Sequence, residues 1–216
     1  MHTERKFTPR DEPAFATISP KILYFGTPVA LLSSINEDGS SNLAPISSFW
    51  TLGWTMTVGL LTLTKTLQNL RARPECVVNL PTPEIWRQVE ELAPLTGQDP
   101  VPAEKASQFH FEKDKFAAAA FTPLASELVA APRVRECPVH MEATARKINV
   151  LEGDPRLHKL GGGAAVELEI LRVHVREDFI LKGDYVDPDK WQPLIYNFRH
   201  YFGLGEDLGH TFRAEV

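Results

Sequence analysis

Gly39 to Thr64 reads GSSNLAPISSFWTLGWTMTVGLLTLT, 26 positions without a charged residue. A run of that length can cross a bilayer as a helix. Ten of these residues are Ser, Thr or Asn, and Pro45, Gly53 and Gly59 interrupt the run. A lipid-buried helix of this composition would leave many polar groups unmatched. Thr, Val, Phe and Trp favour strands, so the stretch reads as buried β-structure with polar groups aimed at something. From Trp54 to Leu63, Met56, Val58 and Leu60 alternate with Thr55, Thr57 and Gly59, the period of a strand. Ser41 to Thr51 reads as an earlier strand broken at Pro45. Proline removes a ladder donor, which predicts a bulge or an edge position. The turn before it, Glu37-Asp38-Gly39-Ser40, has Asp-Gly at its centre and returns an apolar run from Pro28 to Asn36.

Outward from this hairpin, Lys65 to Ala72 switches to helical spacing with Leu67 and Leu70 on one face, and Glu75 to Leu80 is a strand. Pro83 to Leu92 begins as a helix, with proline and Glu84 in its first turn. A proline-rich loop runs from Pro94 to Pro102, and Ala103 to Ala120 predicts one or two short helices. Pro138 to Leu151 and Ala164 to Arg176 are long strands, and Asp178 to Lys182 is a short one. From Asp187 onward the chain is rich in aromatics: Trp191, Tyr196, Phe198, Tyr201 and Phe202. Mostly antiparallel strands with helices inserted between them make the fold mainly β with inserted helices (α+β), a decorated barrel. The expected organisation is an arm at 1–20, one domain at 21–186 and an aromatic-rich tail at 187–216.

The 216 residues carry 23 basic and 28 acidic side chains, a net charge of −5, with 43% apolar and 24% charged residues. This is globular composition with no overall attraction to nucleic acid or anionic lipid, so neither is expected as a partner. Cys76 and Cys137 lie 61 positions apart and form no disulfide framework. Neither is part of a metal motif. The seven histidines never occur as H-x-x-x-H, and Cys137-Pro-Val-His140 lacks a second pair, so no metal site is expected. The N-terminal MHTERKFTPRDEP has no apolar core of a signal peptide; the expected location is the cytoplasm.

Two segments carry possible chemistry. Thr62-Leu63-Thr64-Lys65-Thr66-Leu67-Gln68-Asn69 lies where a strand ends and a helix begins, with Thr64 as N-cap. Its first turn holds Lys65 and no acid, unfavourable at the positive end of a helix dipole. A bound anion would reverse that sign, and free amides, hydroxyls and an ammonium make a phosphate cradle. The alternative is a solvated lysine beside an ordinary cap. Ser41 to Phe49 is a bent strand of small residues on which Asn42, Ser47 and Ser48 could face a flat ligand, or stand as a bulged edge in solvent.

Taken together, LLSSINEDGSSNLAPISSFW, TKTLQNLRARPECVVNLPT, FTPLASELVAAPRVRECPVHMEA and EILRVHV resemble, in order and spacing, the flavin reductase-like proteins, which bind FMN on a split β-barrel. The resemblance covers about residues 20 to 185. It implies a homodimer with one FMN per subunit near the interface. It maps the ring and ribityl contacts onto Asn42, Leu43, Ala44, Pro45 and Ser47, and the phosphate contacts onto Thr64, Lys65 and Thr66. Thr27-Pro28 stands where many members have Arg-Pro, and Lys65-Thr66 lacks the acid of a Lys-Asp-Thr turn. The implied activity is that of an FMN-dependent oxidoreductase, a flavin reductase using NADH or NADPH with a small-molecule nicotinamide or flavin substrate. The alternative is a flavin-carrying electron-transfer or binding protein without nicotinamide turnover. His200 and Tyr201 are catalytic candidates on chemistry alone, a donor for reduced flavin beside a ring that can stack. The competing reading is a tail packed onto the barrel. The aromatic content of Phe49 to Leu61 fits a dimer surface.

Overall fold

The computed structural model describes residues 13–152, 155–158, 161–209 and 211. The first twelve residues of the expected arm, and residues 210 and 212–216 of the tail, lie outside these. Residues 13–20 form neither helix nor strand.

Ten strands and three helices position the site. They are β1 (Phe25–Pro28), β2 (Ala30–Ile35), β3 (Ser41–Ile46), β4 (Phe49–Leu52), β5 (Thr55–Leu61), α1 (Lys65–Ala72), β6 (Glu75–Leu80), α2 (Trp86–Leu92), α3 (Lys115–Ala118), β7 (Val139–Leu151), β8 (Gly163–Val175), β9 (Ile195–Asn197) and β10 (His200–Phe202). Seven strands form one sheet in the order β3-β2-β6-β7-β8-β5-β4, antiparallel at every step. Its two edge strands, β3 and β4, are joined by only Ser47 and Ser48. A two-residue link between opposite edges forces the sheet to roll up, and β3 and β4 do not pair, which leaves the barrel split at that seam. Gly59 of β5 extends the β4–β5 pairing into the link: its amide donates to the Ser48 carbonyl at 2.6 Å. A side chain there would put its Cβ 3.0 Å from the Cβ of Ser48, a tight contact that favours glycine.

Alternation sorts the core. Leu32, Met56, Val58, Leu60, Val78, Val166 and Leu168 are buried together with Leu67 and Leu70 of α1. The neighbouring Leu31 points the other way, joining Leu43, Val89, Leu92, Phe116 and Leu194 in a second cluster. Burial of both faces explains why β2 opens on three consecutive apolar residues, Ala30, Leu31 and Leu32. Pro45 lies in the edge strand β3, as its missing donor requires. Cys76 and Cys137 are free and buried.

Three expectations are corrected. The run Pro28 to Asn36 is divided, because Val29 donates to the Leu194 carbonyl at 2.8 Å and β1 pairs with β9 instead of the large sheet. Ala103 to Ala120 yields turns, a two-residue strand at His110–Phe111 and only the four-residue α3. Asp114 caps α3 through Ala117, and Ala120, at φ 54°, stops it. Last, residues 194–202 of the aromatic tail form the β9–β10 hairpin, which pairs with β1, while Leu194 is fully enclosed in the second cluster. Among the described residues no helix is long and apolar enough to cross a membrane.

Candidate functional site

The split in the barrel opens on a cavity of about 360 Å³ lined by the end of β3, the Ser47–Ser48 link, the start of α1 and three tyrosines. Ala44, Pro45, Ser47, Thr64, Lys65 and Thr66 all face it. The structure therefore brings two segments separated by some twenty residues of sequence onto one space. Asn42 and Leu43 do not line it. Asn42 is buried behind the wall, where its Nδ2 donates to Thr66 Oγ1 at 3.1 Å while its Oδ1 has no partner. Leu43 is in the second core cluster.

A buried polar network fixes the helix start against the hairpin. Asn69 Nδ2 donates to Ser34 Oγ at 3.0 Å and to Asn36 Oδ1 at 2.9 Å. Arg73 Nη1 donates to the Asn36 carbonyl at 3.1 Å. Thr64 Oγ1 accepts from the Leu67 amide at 3.3 Å, the N-cap bond the sequence predicts. The Thr64 amide donates to the Leu61 carbonyl at 3.1 Å. The amides of Lys65 and Thr66 have no acceptor within the helix, and there is no acid in the first turn.

Lys65 is neither solvated nor free. Its Nζ lies 2.6 Å from Glu37 Oε2, and that contact holds the Glu37 carboxyl below its ordinary value. The uncompensated charge comes from two lysines the sequence reading did not single out. Lys115, on α3, is 3% exposed and its Nζ donates to the Leu43 carbonyl at 3.0 Å. Burial, and then the like charge of Lys105, push its ammonium down to about 8. Lys105 donates to the Leu63 carbonyl, and burial lowers it as well. Both line the cavity, and among the described residues neither belongs to an ion pair. One buried and one half-buried cation, without a counter-charge among the described residues, suit this cavity to an anion. The sequence signal was weak: Lys115 immediately precedes the apolar run FAAAAF.

The opposite wall is aromatic. Tyr196 meets Tyr24 edge-on at 5.5 Å and Tyr201 at 5.8 Å between ring centres. Tyr24 and Ser48 share a hydrogen bond of 2.5 Å across the seam. Tyr201 turns its ring to the cavity, but its hydroxyl donates to Glu90 Oε2 at 3.0 Å, and burial followed by that carboxylate raises its pKa. His200 is exposed and lines a second cavity instead, on the far side of Tyr201. The structure thus keeps Tyr201 at the first cavity and places His200 outside it. A flat ring against tyrosines and an anionic group among lysines and helix amides are what this geometry can hold.

Residues 22–205 match the flavin reductase-like domain family. The chain is 42% identical over 208 residues to YdfE of Bacillus subtilis (strain 168), an uncharacterized protein, covering 96% of this chain and 98% of that one. Among solved structures it is similar to the flavoredoxin of Desulfovibrio vulgaris (Miyazaki F), with a TM-score of 0.75, 22% identity, and coverage of 93% of this chain and 99% of that chain. It is also similar to nitrilotriacetate monooxygenase component B from Bacillus cereus, with a TM-score of 0.71, 21% identity, and coverage of 92% and 100%. At these identities the two structures show the fold, a flavin reductase-like split barrel.

Proposed function

The chain belongs to the flavin reductase-like family, and we propose that within it the protein works as an FMN-dependent oxidoreductase drawing electrons from NADH or NADPH. The observation that carries this reading is the pair of Lys115, buried, and Lys105, half-buried, neither with a counter-charge among the described residues, at a cavity that three tyrosines also line. Lysines in that state are costly unless an anionic ligand completes the site. FMN, when bound, supplies hydride and electron transfer. The protein's own work is positional. Lys105, Lys115 and the amides that open α1 bind the phosphate. The small residues of β3 and its link let the backbone approach the ring. Tyr24, Tyr196 and Tyr201 cover it and exclude water. Lys65 contributes to the phosphate end only as far as Glu37 releases it.

The same reading takes the working form to be a homodimer. Trp50, Leu52 and Trp54, on the unpaired edge β4 and its turn, are 60%, 74% and 62% exposed, an apolar surface that water does not favour. A reducing cytoplasm suits two buried, unpaired cysteines. The test is direct. The ligand that purifies with the protein is identified by mass, and oxidation of NADH and of NADPH is followed with and without added FMN. Bound or titratable FMN together with nicotinamide oxidation is the expected result. A protein that neither carries nor takes up flavin overturns the proposal.

A further inference from the structure

The second cavity measures about 660 Å³, within the roughly 300–1,000 Å³ typical of small-molecule sites. Its walls are Trp86, Tyr201 and Phe202, with Arg199 and His200 beside them. Trp86 and Tyr201 stand 5.9 Å apart between ring centres at 38°. The acid in the lining, Glu90, already accepts the Tyr201 hydroxyl at 3.0 Å. Arg199 and His200 make no ion pair among the described residues.

The backbone that presents Arg199 is strained. Asn197 pairs with His200, so Phe198 and Arg199 form a two-residue hairpin turn, at φ 46° and 67°. Such turns need a positive φ at both positions and are normally Asn-Gly. Packing accounts for Phe198, whose ring meets Phe25 edge-on at 4.6 Å. Arg199 is exposed and takes its positive φ from the hairpin turn itself. The turn thus sets an exposed guanidinium, without an ion pair among the described residues, at the edge of the second cavity.

We propose that this second cavity binds a small planar aromatic carboxylate, its ring against Trp86 and Phe202 and its carboxylate on the Arg199 guanidinium. Aromatic walls accept a flat ring, and the planar guanidinium fork matches a carboxylate with two parallel hydrogen bonds. Tyr201 lines both cavities, so the ligand lies one side chain away from the flavin; that placement alone rests on the function proposed above.

The probe is benzoate, titrated calorimetrically into the protein as purified and again after saturation with FMN, with benzamide and cyclohexanecarboxylate as controls. Saturable benzoate binding is expected, weaker by about tenfold or more for each control, which lacks the charge or the ring. Arg199→Gly removes the fork and relieves the turn. Benzoate affinity should fall by at least about tenfold, while the thermal midpoint holds or rises. Arg199→Lys, which keeps the charge and the strained turn, should lose several-fold. Absence of benzoate binding to the parent protein, equal binding of benzamide, or undiminished affinity in both variants overturns the proposal. Benzoate binding by a protein that takes up no flavin would leave this site standing and defeat only the flavin reading.

Discussion

Lys115→Met separates a ligand-binding lysine from a structural one. Methionine keeps the apolar stem of the side chain and deletes the charge. In the flavin-free protein, lowering the ammonium from 10.5 to about 8 corresponds to a cost on the order of 3 kcal/mol for burying the charged form. Deleting it leaves the Leu43 carbonyl without its donor, which costs about 1–3 kcal/mol. The flavin-free variant should therefore be as stable as the parent, or more stable by up to about 2 kcal/mol, in urea at pH 7. FMN affinity should move the other way. Loss of a charge-assisted contact of about 1.5–3 kcal/mol weakens binding by roughly tenfold to more than a hundredfold, readable as quenching of flavin fluorescence. The pH dependence has a defined sign as well. The folded value lies below the unfolded one, so between about 8 and 10.5 the unfolded chain holds the extra proton, and stability of the flavin-free parent rises with pH across that window. FMN affinity of the parent falls as pH climbs through about 8, and both trends should be reduced in Lys115→Met. A variant that unfolds more easily yet binds FMN like the parent would refute this assignment and leave Lys115 a structural residue.

Glu37→Gln should tighten FMN binding by up to about fivefold in the same fluorescence titration, because it frees Lys65 from an exposed partner whose hold is worth at most about 1 kcal/mol; weaker binding would remove Lys65 from the phosphate end. Glu142 is fully buried and accepts from the amides of Glu127, Leu128 and Val129 and from His174 Nε2 at 2.6 Å. Burial raises its pKa, but the amides and His174 outweigh this and leave it below 4.5. Its contribution is therefore present above the unfolded value and lost as pH falls through the folded one. Glu142→Gln should cost about 3 kcal/mol or more in urea midpoints at pH 7 and much less at low pH; an equal cost at both would show that the carboxylate's charge is irrelevant. Sedimentation of the parent should give a dimer at micromolar concentration and Trp50→Glu should shift it toward monomer, whereas a 24 kDa parent species would remove the dimer from the proposal.

The parts of the fold legible in sequence are those governed by local periodicity. α1 and β6 fall at their predicted bounds, and Met56, Val58 and Leu60 point inward as their alternation requires. The start of α1 was legible for a different reason: a cap hydroxyl followed by a lysine and no acid is a local electrostatic pattern, visible without a fold. Asn42 lies behind the lining, and a buried amide and a ligand-facing one look alike in sequence. Only the fold supplies Thr66 Oγ1 as its partner.

Lys105 and Lys115 mark where local reading stops. Lysine in a sequence is by default solvated, since its charge is costly to bury, and nothing in their neighbourhood contradicts that default strongly. What buries them is contact with distant elements: the Leu63 carbonyl for one and the Leu43 carbonyl, 72 residues away, for the other. A carbonyl can take an ammonium's hydrogen bond but cannot neutralise its charge. The fold therefore gives these lysines hydrogen-bond partners without balancing their charge, which is why the proposed function seats an anion beside them. Lys65 shows the converse. It occupies the place where sequence reasoning expects a phosphate contact, yet Glu37 already offsets its charge. At this cavity the deciding quantity is which cation remains unbalanced after folding, and tertiary structure alone sets that.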